Sequence, residues 1–266
     1  MIELTGDPKI DTQEVHYRRA AAAGNIDDMV RLGNVLFDKG HSQEAEMWYR
    51  RAAEQGSVDG MYNLANGLLR AGHEDEAARW YQRAAENRHA PSMAALGALL
   101  YNKKAPMDVV ERWLRRAADV GDAKAQMLLG LLAFDAGRIQ EAEPLLRAAA
   151  DEDFEGAMYH LALIMAATGR SAEAERWYHR AADKGLPQAM NNLGVIHKTS
   201  GRLQDAEQWF RRSAEHGTIE AIYNLGDLLE QTGRTGEAEQ WFRRGAAQGC
   251  SDSRARLARR QGRSDR

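Results

Sequence analysis

AIYNLGDLLEQTGRTGEAEQWFRRGAAQG, residues 221–249, decides the architecture, because a close variant of it recurs along the chain. In its first half, Ile222, Leu225, Gly226 and Leu229 recur at offsets of 3, 4 and 7, the period of a single helical face. Ala238, Trp241, Phe242 and Gly245 repeat that spacing in the second half. Gly233 falls between the two, where a residue free to enter the left-handed region ends a helix. The stretch therefore reads as helix A, turn, helix B. Its closing phrase returns as WYRRAAEQG at 48–56, WYQRAAENR at 80–88, WLRRAADVG at 113–121, WYHRAADKG at 177–185 and WFRRSAEHG at 209–217. Trp48, Trp80, Trp113, Trp177, Trp209 and Trp241 are spaced by 32, 33, 64, 32 and 32 residues, and His16 and Leu145 hold the column where Trp is missing.

A second column of leucines, Leu32, Leu64, Leu96, Leu129, Leu161, Leu193, Leu225 and Leu257, lies half a period away. Each is followed by Gly or Ala, which lets a neighbouring helix approach closely. One AB pair cannot bury its own apolar face, so successive pairs must stack into a solenoid. The spacing predicts one α-solenoid domain over 1–266. It divides into a half repeat at 11–24, seven AB repeats over 25–249, and a capping helix with an Arg-rich tail over 250–266, that helix being shortened to 251–261. One repeat departs from the rule. An extra residue and the turn NKKAPMD replace the glycine turn before Trp113, which predicts a local change of superhelix geometry. Pro144 predicts a kink in its helix unless it lies in the first turn.

The columns resemble tetratricopeptide repeats, and AIYNLGDLLEQTGR (221–234) with EAEQWFRRGAAQG (237–249) more closely resembles the Sel-one-like subfamily, over almost the whole chain. The resemblance implies an all-α, right-handed α-solenoid superhelix of 32-residue helix-turn-helix repeats, with the A helices lining a concave face. It further implies an adaptor that holds other proteins together. These repeats are shorter in the A-to-B loop than is usual in the subfamily. The cysteine-rich secreted members linked to β-lactam binding are not matched, since this chain has a single cysteine, Cys250.

Composition excludes other classes. Hydrophobic residues make up 44% and charged residues 28%, a balance that folds. A net charge of −3 gives no global excess with which to neutralise a phosphate backbone, so nucleic acid is not a favoured partner. No apolar run approaches the roughly 20 residues of a membrane span. Met1 to Gln13 has neither a basic n-region nor an apolar h-region, so the expectation is a cytoplasmic protein, and the Arg and Ala bias suggests a bacterial one.

No phosphate loop, GxGxxG, HExxH, CxxC or GxSxG is present, so neither an enzyme nor a cofactor is expected. No metal site is expected either, because the eight histidines are scattered and His73-Glu74 lacks a second histidine. Glu46, Glu111, Glu207 and Glu239 stand four residues before Arg50, Arg115, Arg211 and Arg243, which makes the Arg pairs a salt-linked face rather than a basic stripe. The tryptophans, and Met29, Met61, Met93, Met158 and Met190, read as core between repeats.

What remains for function is the set of helix A positions that vary between repeats. In the middle repeats they form an apolar floor, with Tyr101, Met127, Leu131, Phe134, Tyr159 and Leu163 as the candidate partner-binding residues. Asn63, Asn66, His160, Asn191, Asn192 and Lys198 form a polar rim. An apolar centre with a polar rim suits a peptide or helix from a partner protein. A tight superhelix would instead bury this floor against itself. Two other readings are a regulatory subunit or small-ligand sensor with a pocket of Tyr159, His160 and Asn192, and a weaker one, nucleic-acid binding through Arg254, Arg256, Arg259, Arg260, Arg263 and Arg266. Terminal repeats could also support an oligomer.

Overall fold

The computed structural model describes residues 8–264, and side chains over 12–259. Among the described residues there are sixteen α-helices and no strand. The B helices are α1 (Pro8–Ala22), α3 (Ser42–Glu54), α5 (Glu74–Glu86), α7 (Met107–Ala118), α9 (Ile139–Asp151), α11 (Ser171–Asp183), α13 (Leu203–Glu215) and α15 (Thr235–Ala247). The A helices are α2 (Ile26–Asp38), α4 (Val58–Arg70), α6 (Ala90–Asn102), α8 (Ala123–Asp135), α10 (Glu155–Ala167), α12 (Pro187–Thr199), α14 (Ile219–Gln231) and α16 (Ser251–Ser264). The last helix is thus full length rather than shortened. Packing divides the chain into two compact units, Met1–Leu129 and Gly130–Arg266, and the division falls inside α8 rather than in a linker.

The turns explain why the helices end where they do. After α2, Gly40 takes φ +82°, so its N–H reaches Phe37 O at 2.9 Å while His41 N–H reaches Leu36 O at 2.8 Å. The return turns serve two helices at once. Ser57 N–H bonds Ala52 O at 3.0 Å and closes α3, while its Oγ accepts from Gly60 N–H at 3.0 Å and opens α4. Where glycine is missing, Arg88, Lys104 and Asp153 are forced to positive φ in its place. Lys104 belongs to the irregular NKKAPMD turn, where Pro106 starts α7. Pro144 lies in the second turn of α9 and is exposed, and the helix runs on through it.

The core is built on the residue after each tryptophan. Tyr49, Tyr81, Leu114, Leu146, Tyr178, Phe210 and Phe242 are all buried, and Tyr49, Leu114, Leu146, Phe210 and Phe242 pack against the glycine of the preceding helix A. A Cβ on Gly194 would sit 2.5 Å from Phe210 Cδ1, and one on Gly226 would sit 2.6 Å from Phe242 Cε1. The methionine column is buried throughout, from Met29 to Met190. The tryptophans depart from expectation. Only Trp48 is buried, while Trp80, Trp113, Trp177, Trp209 and Trp241 are half-exposed. One residue of helix is about 100° of rotation, so with its neighbour aimed inward the indole lies along the helix flank. There the second arginine of each pair covers it, as Arg180 does over Trp177 and Arg212 over Trp209, both at 4.5 Å.

The first arginine of the pair is used differently. Arg50 bonds Glu46 in its own helix at 3.0 Å and Glu76 in the next B helix at 2.7 Å, and Arg211 bonds Glu207 and Glu237 in the same way. Both arginines of the motif are therefore engaged within the array, as the spacing from glutamate predicts.

Candidate functional site

The variable helix A positions are best followed within each unit. In the first unit, Asn66 Oδ1 accepts the Tyr81 hydroxyl, and Asn34 Oδ1 accepts both the Tyr49 hydroxyl at 2.8 Å and Asn63 Nδ2 at 3.2 Å. The core tyrosines reach past the small residue and occupy these amides from behind. Burial raises both phenols, Tyr49 to about 12, so they remain neutral donors. Tyr101 is 47% exposed near the end of α6, and Met127 is half-buried on α8.

In the second unit, Leu131, Phe134, Tyr159 and Leu163 are half-buried. Phe134 meets His160 edge-on at 5.4 Å, His160 meets Tyr159 at 5.2 Å, and Tyr159 lies 6.0 Å from Tyr178, forming a continuous aromatic row. His160 Nδ1 lies 2.8 Å from Gly156 O, and since a carbonyl only accepts, Nδ1 carries the proton. Tyr159 also lines an open cleft of about 590 Å³. The other walls are Asn191 and Asn192 on α12 and the turn that starts α14, from His216 to Glu220. Asn224 Nδ2 donates to Asn191 Oδ1 at 2.9 Å, and Asn192 is a hydrogen-bond partner of Tyr178, whose phenol is raised chiefly by burial. The turn residues His216 to Glu220 escape a reading of the columns, because they approach the asparagines only when α12 and α14 stack.

Lys198 is held by Asp227 at 2.6 Å, and Arg256 of the last helix bonds Asp227 and also Glu230 at 3.3 Å. Arg256 is therefore part of how α16 docks on α14. The side chains of Arg260, Arg263 and Arg266 lie outside the described residues. No helix among the described residues is long and apolar enough to cross a membrane.

Models of the tetratricopeptide repeat match residues 30–94, 110–157, 128–187, 159–217 and 219–246. The chain belongs to the tetratricopeptide repeat family. Among solved structures it is similar to a protective antigen of uropathogenic Escherichia coli strains displaying an SLR fold, with 24% identity and a TM-score of 0.78. That match covers 89% of this chain and 56% of the antigen, so this chain spans little more than half of that relative. It is also similar to a Sel1 repeat protein from Oxalobacter formigenes, with 25% identity, a TM-score of 0.68, and coverage of 82% of this chain and 99% of that one. No curated protein matches the chain at significant similarity. The all-α repeat solenoid of the tetratricopeptide and Sel1-like kind is thus established. Repeats of this family commonly mediate protein–protein interaction and are generally non-catalytic scaffolds.

Proposed function

We propose that this chain is a non-enzymatic adaptor that takes an extended segment of a partner protein on the helix A face of its second unit. The observation that carries the reading is the junction at Tyr159, where the aromatic row from Phe134 meets the asparagine-lined cleft. An asparagine amide offers a donor and an acceptor together, which matches a peptide group without regard to sequence. The half-buried row adjoining it, with Leu131 and Leu163 on the same two helices, offers apolar area for one or two anchoring side chains. Tyr101 and Met127 occupy the corresponding columns in the first unit and extend the same reading there. An open, asparagine-lined cleft beside a few aromatic anchors suits a flexible peptide better than an enclosed small molecule.

The test is selection of a displayed random-peptide library on the immobilised protein, followed by titration of the enriched peptides against Tyr159→Glu and Asn192→Ala. Enriched peptides should bind the wild type and lose about tenfold or more in affinity with each variant, about the 1.4 kcal/mol expected of a lost anchor. Failure to enrich any peptide, or enriched peptides that bind both variants as well as the wild type, would overturn the reading.

A further inference from the structure

The repeats act as controls for one another, and two columns break on adjacent helices, α11 and α12. Glutamate stands at Glu46, Glu111, Glu143, Glu207 and Glu239, and four residues later the column holds Arg50, Arg115, Arg147, Arg211 and Arg243. In α11 the glutamate is kept as Glu175, but the arginine is replaced by His179. The second break lies on the next helix A. Leu36, Leu68, Ala133, Met165 and Leu229 are buried at a position that α12 fills with His197.

The two irregularities meet. Donor atoms of Glu175, His179 and His197 all lie within 4.8 Å of one another. His197 Nε2 is 4.0 Å from Glu175 Oε1, and its Nδ1 is 3.8 Å from Oδ2 of Asp205, in the first turn of α13. The His197 side chain is only 7% exposed, and neither ring nitrogen has a hydrogen-bond partner. An imidazole buried this way loses its hydration with nothing in return, where leucine in the same column would lose nothing.

We propose that Glu175, His179 and His197 form a binding site for a divalent transition metal, zinc by preference, with a water in the fourth position and Asp205 facing the other ring nitrogen of His197. Two imidazoles and one carboxylate are a zinc donor set, and tetrahedral bonds of about 2.0–2.1 Å place ligand atoms roughly 3.3 Å apart. Closing from the observed separations takes about 1 Å of side-chain adjustment, and Glu175 and His179 are half-exposed and able to make it. Arg202 donates to Glu175 Oε1 at 3.1 Å and orients the carboxylate, while the Trp209 ring lies edge-on to His179 at 5.4 Å and fixes its plane. Bound zinc would join α11 to α12 through coordination, whereas the arginine ladder elsewhere joins successive B helices.

The repeats also supply the control variants. His179→Arg and His197→Leu restore what neighbouring repeats carry, so both should fold as well as the wild type, and His197→Leu should fold better without metal. Chelator-treated full-length protein would be titrated with ZnCl₂ by calorimetry and melted with and without zinc. In parallel, CoCl₂ would be added and the visible ligand-field bands of tetrahedral cobalt recorded. The expected result is one zinc per chain, a higher melting temperature with zinc and cobalt bands in the wild type. Each variant should lose the bands and about tenfold or more in affinity. Equal zinc affinity in the wild type and the double variant would overturn the proposal, as would the absence of a cobalt spectrum.

Discussion

The hole left by the small residue of helix A is filled by tyrosine in the first two repeats and by phenylalanine in the last two. Tyr49 and Tyr81 enter opposite Gly33 and Ala65, and their hydroxyls end on Asn34 and Asn66. Phe210 and Phe242 enter opposite Gly194 and Gly226, where the residues matching those asparagines are Val195 and Asp227. At these four positions the filler and the residue beyond it vary as a pair, whereas Tyr178, with Leu163 at the outward position, hydrogen-bonds Asn192 instead. At Tyr49 and Tyr81 the outward amide is tied to the core. Phe210 has no hydroxyl, and Asn191, one turn before Val195, bonds Asn224 and lines the cleft. Asn34 and Asn66 are thus bonded to core hydroxyls while Asn191 lines a cleft, although all three look alike in the sequence.

The largest effect should come from emptying the hole. Phe210→Ala is expected to cost about 3–5 kcal/mol, and Tyr81→Ala a similar amount in the first unit. Trp209→Ala should cost less, about 1–2 kcal/mol, because a half-exposed indole loses only partial burial and an arginine contact. Urea unfolding followed by circular dichroism would rank the three. A tryptophan variant as damaging as Phe210→Ala would return the core to the tryptophan column.

Exchanging the fillers sharpens the comparison. Tyr81→Phe removes one hydrogen bond and should cost about 0.5–1.5 kcal/mol, whereas Phe210→Tyr buries a hydroxyl with no amide beyond it and should cost about 1–3 kcal/mol. Equal losses would show that the paired variation is accidental. Placing Asn at Val195 in the Phe210→Tyr background should recover part of the loss.

The smallest effect is in pH dependence. Burial holds the His89 pKa below its ordinary value, against the opposing pull of Asp59 and Asp122, while Ser92 Oγ lies 2.7 Å from its Nδ1. In the window just below the ordinary histidine value the unfolded chain binds more protons than the folded one. His89 therefore contributes stability above that window, and the contribution is lost as pH falls through the folded value. His89→Asn should flatten the decline of the urea midpoint between about pH 7 and 5, a window set by the ordinary histidine pKa near 6.5. An unchanged slope would remove His89 from the account.

Much of the fold was legible in the sequence because a repeat states its period many times. The leucine and glycine columns located helices and turns to within a few residues, and Glu46 ahead of Arg50 announced an ion pair that is present. The tryptophan column misled because it is conspicuous in the sequence, while the adjacent position, which varies among Tyr, Leu and Phe, is the one that faces inward. Candidate site residues were read from columns that vary, and a column cannot show which polar groups already have partners. Asn66 and Asn191 look equivalent until the Tyr81 hydroxyl is seen behind the first and Asn224 beside the second. The histidines seemed scattered because His179 and His197 lie 18 positions apart and come together only through the packing of α11 on α12.

The turns carry a consequence for how such a chain can change in length. Since Ser57 both closes one helix and opens the next, a connection of this kind has no slack, and a residue gained or lost there would rotate everything downstream by about 100°. Inheritable changes of size should therefore come as whole 32-residue cassettes, duplicated or deleted in phase. The turn around Lys104 and Pro106 is the place where one added residue has already been accommodated, and it is where a tag or a small inserted loop would be tolerated best.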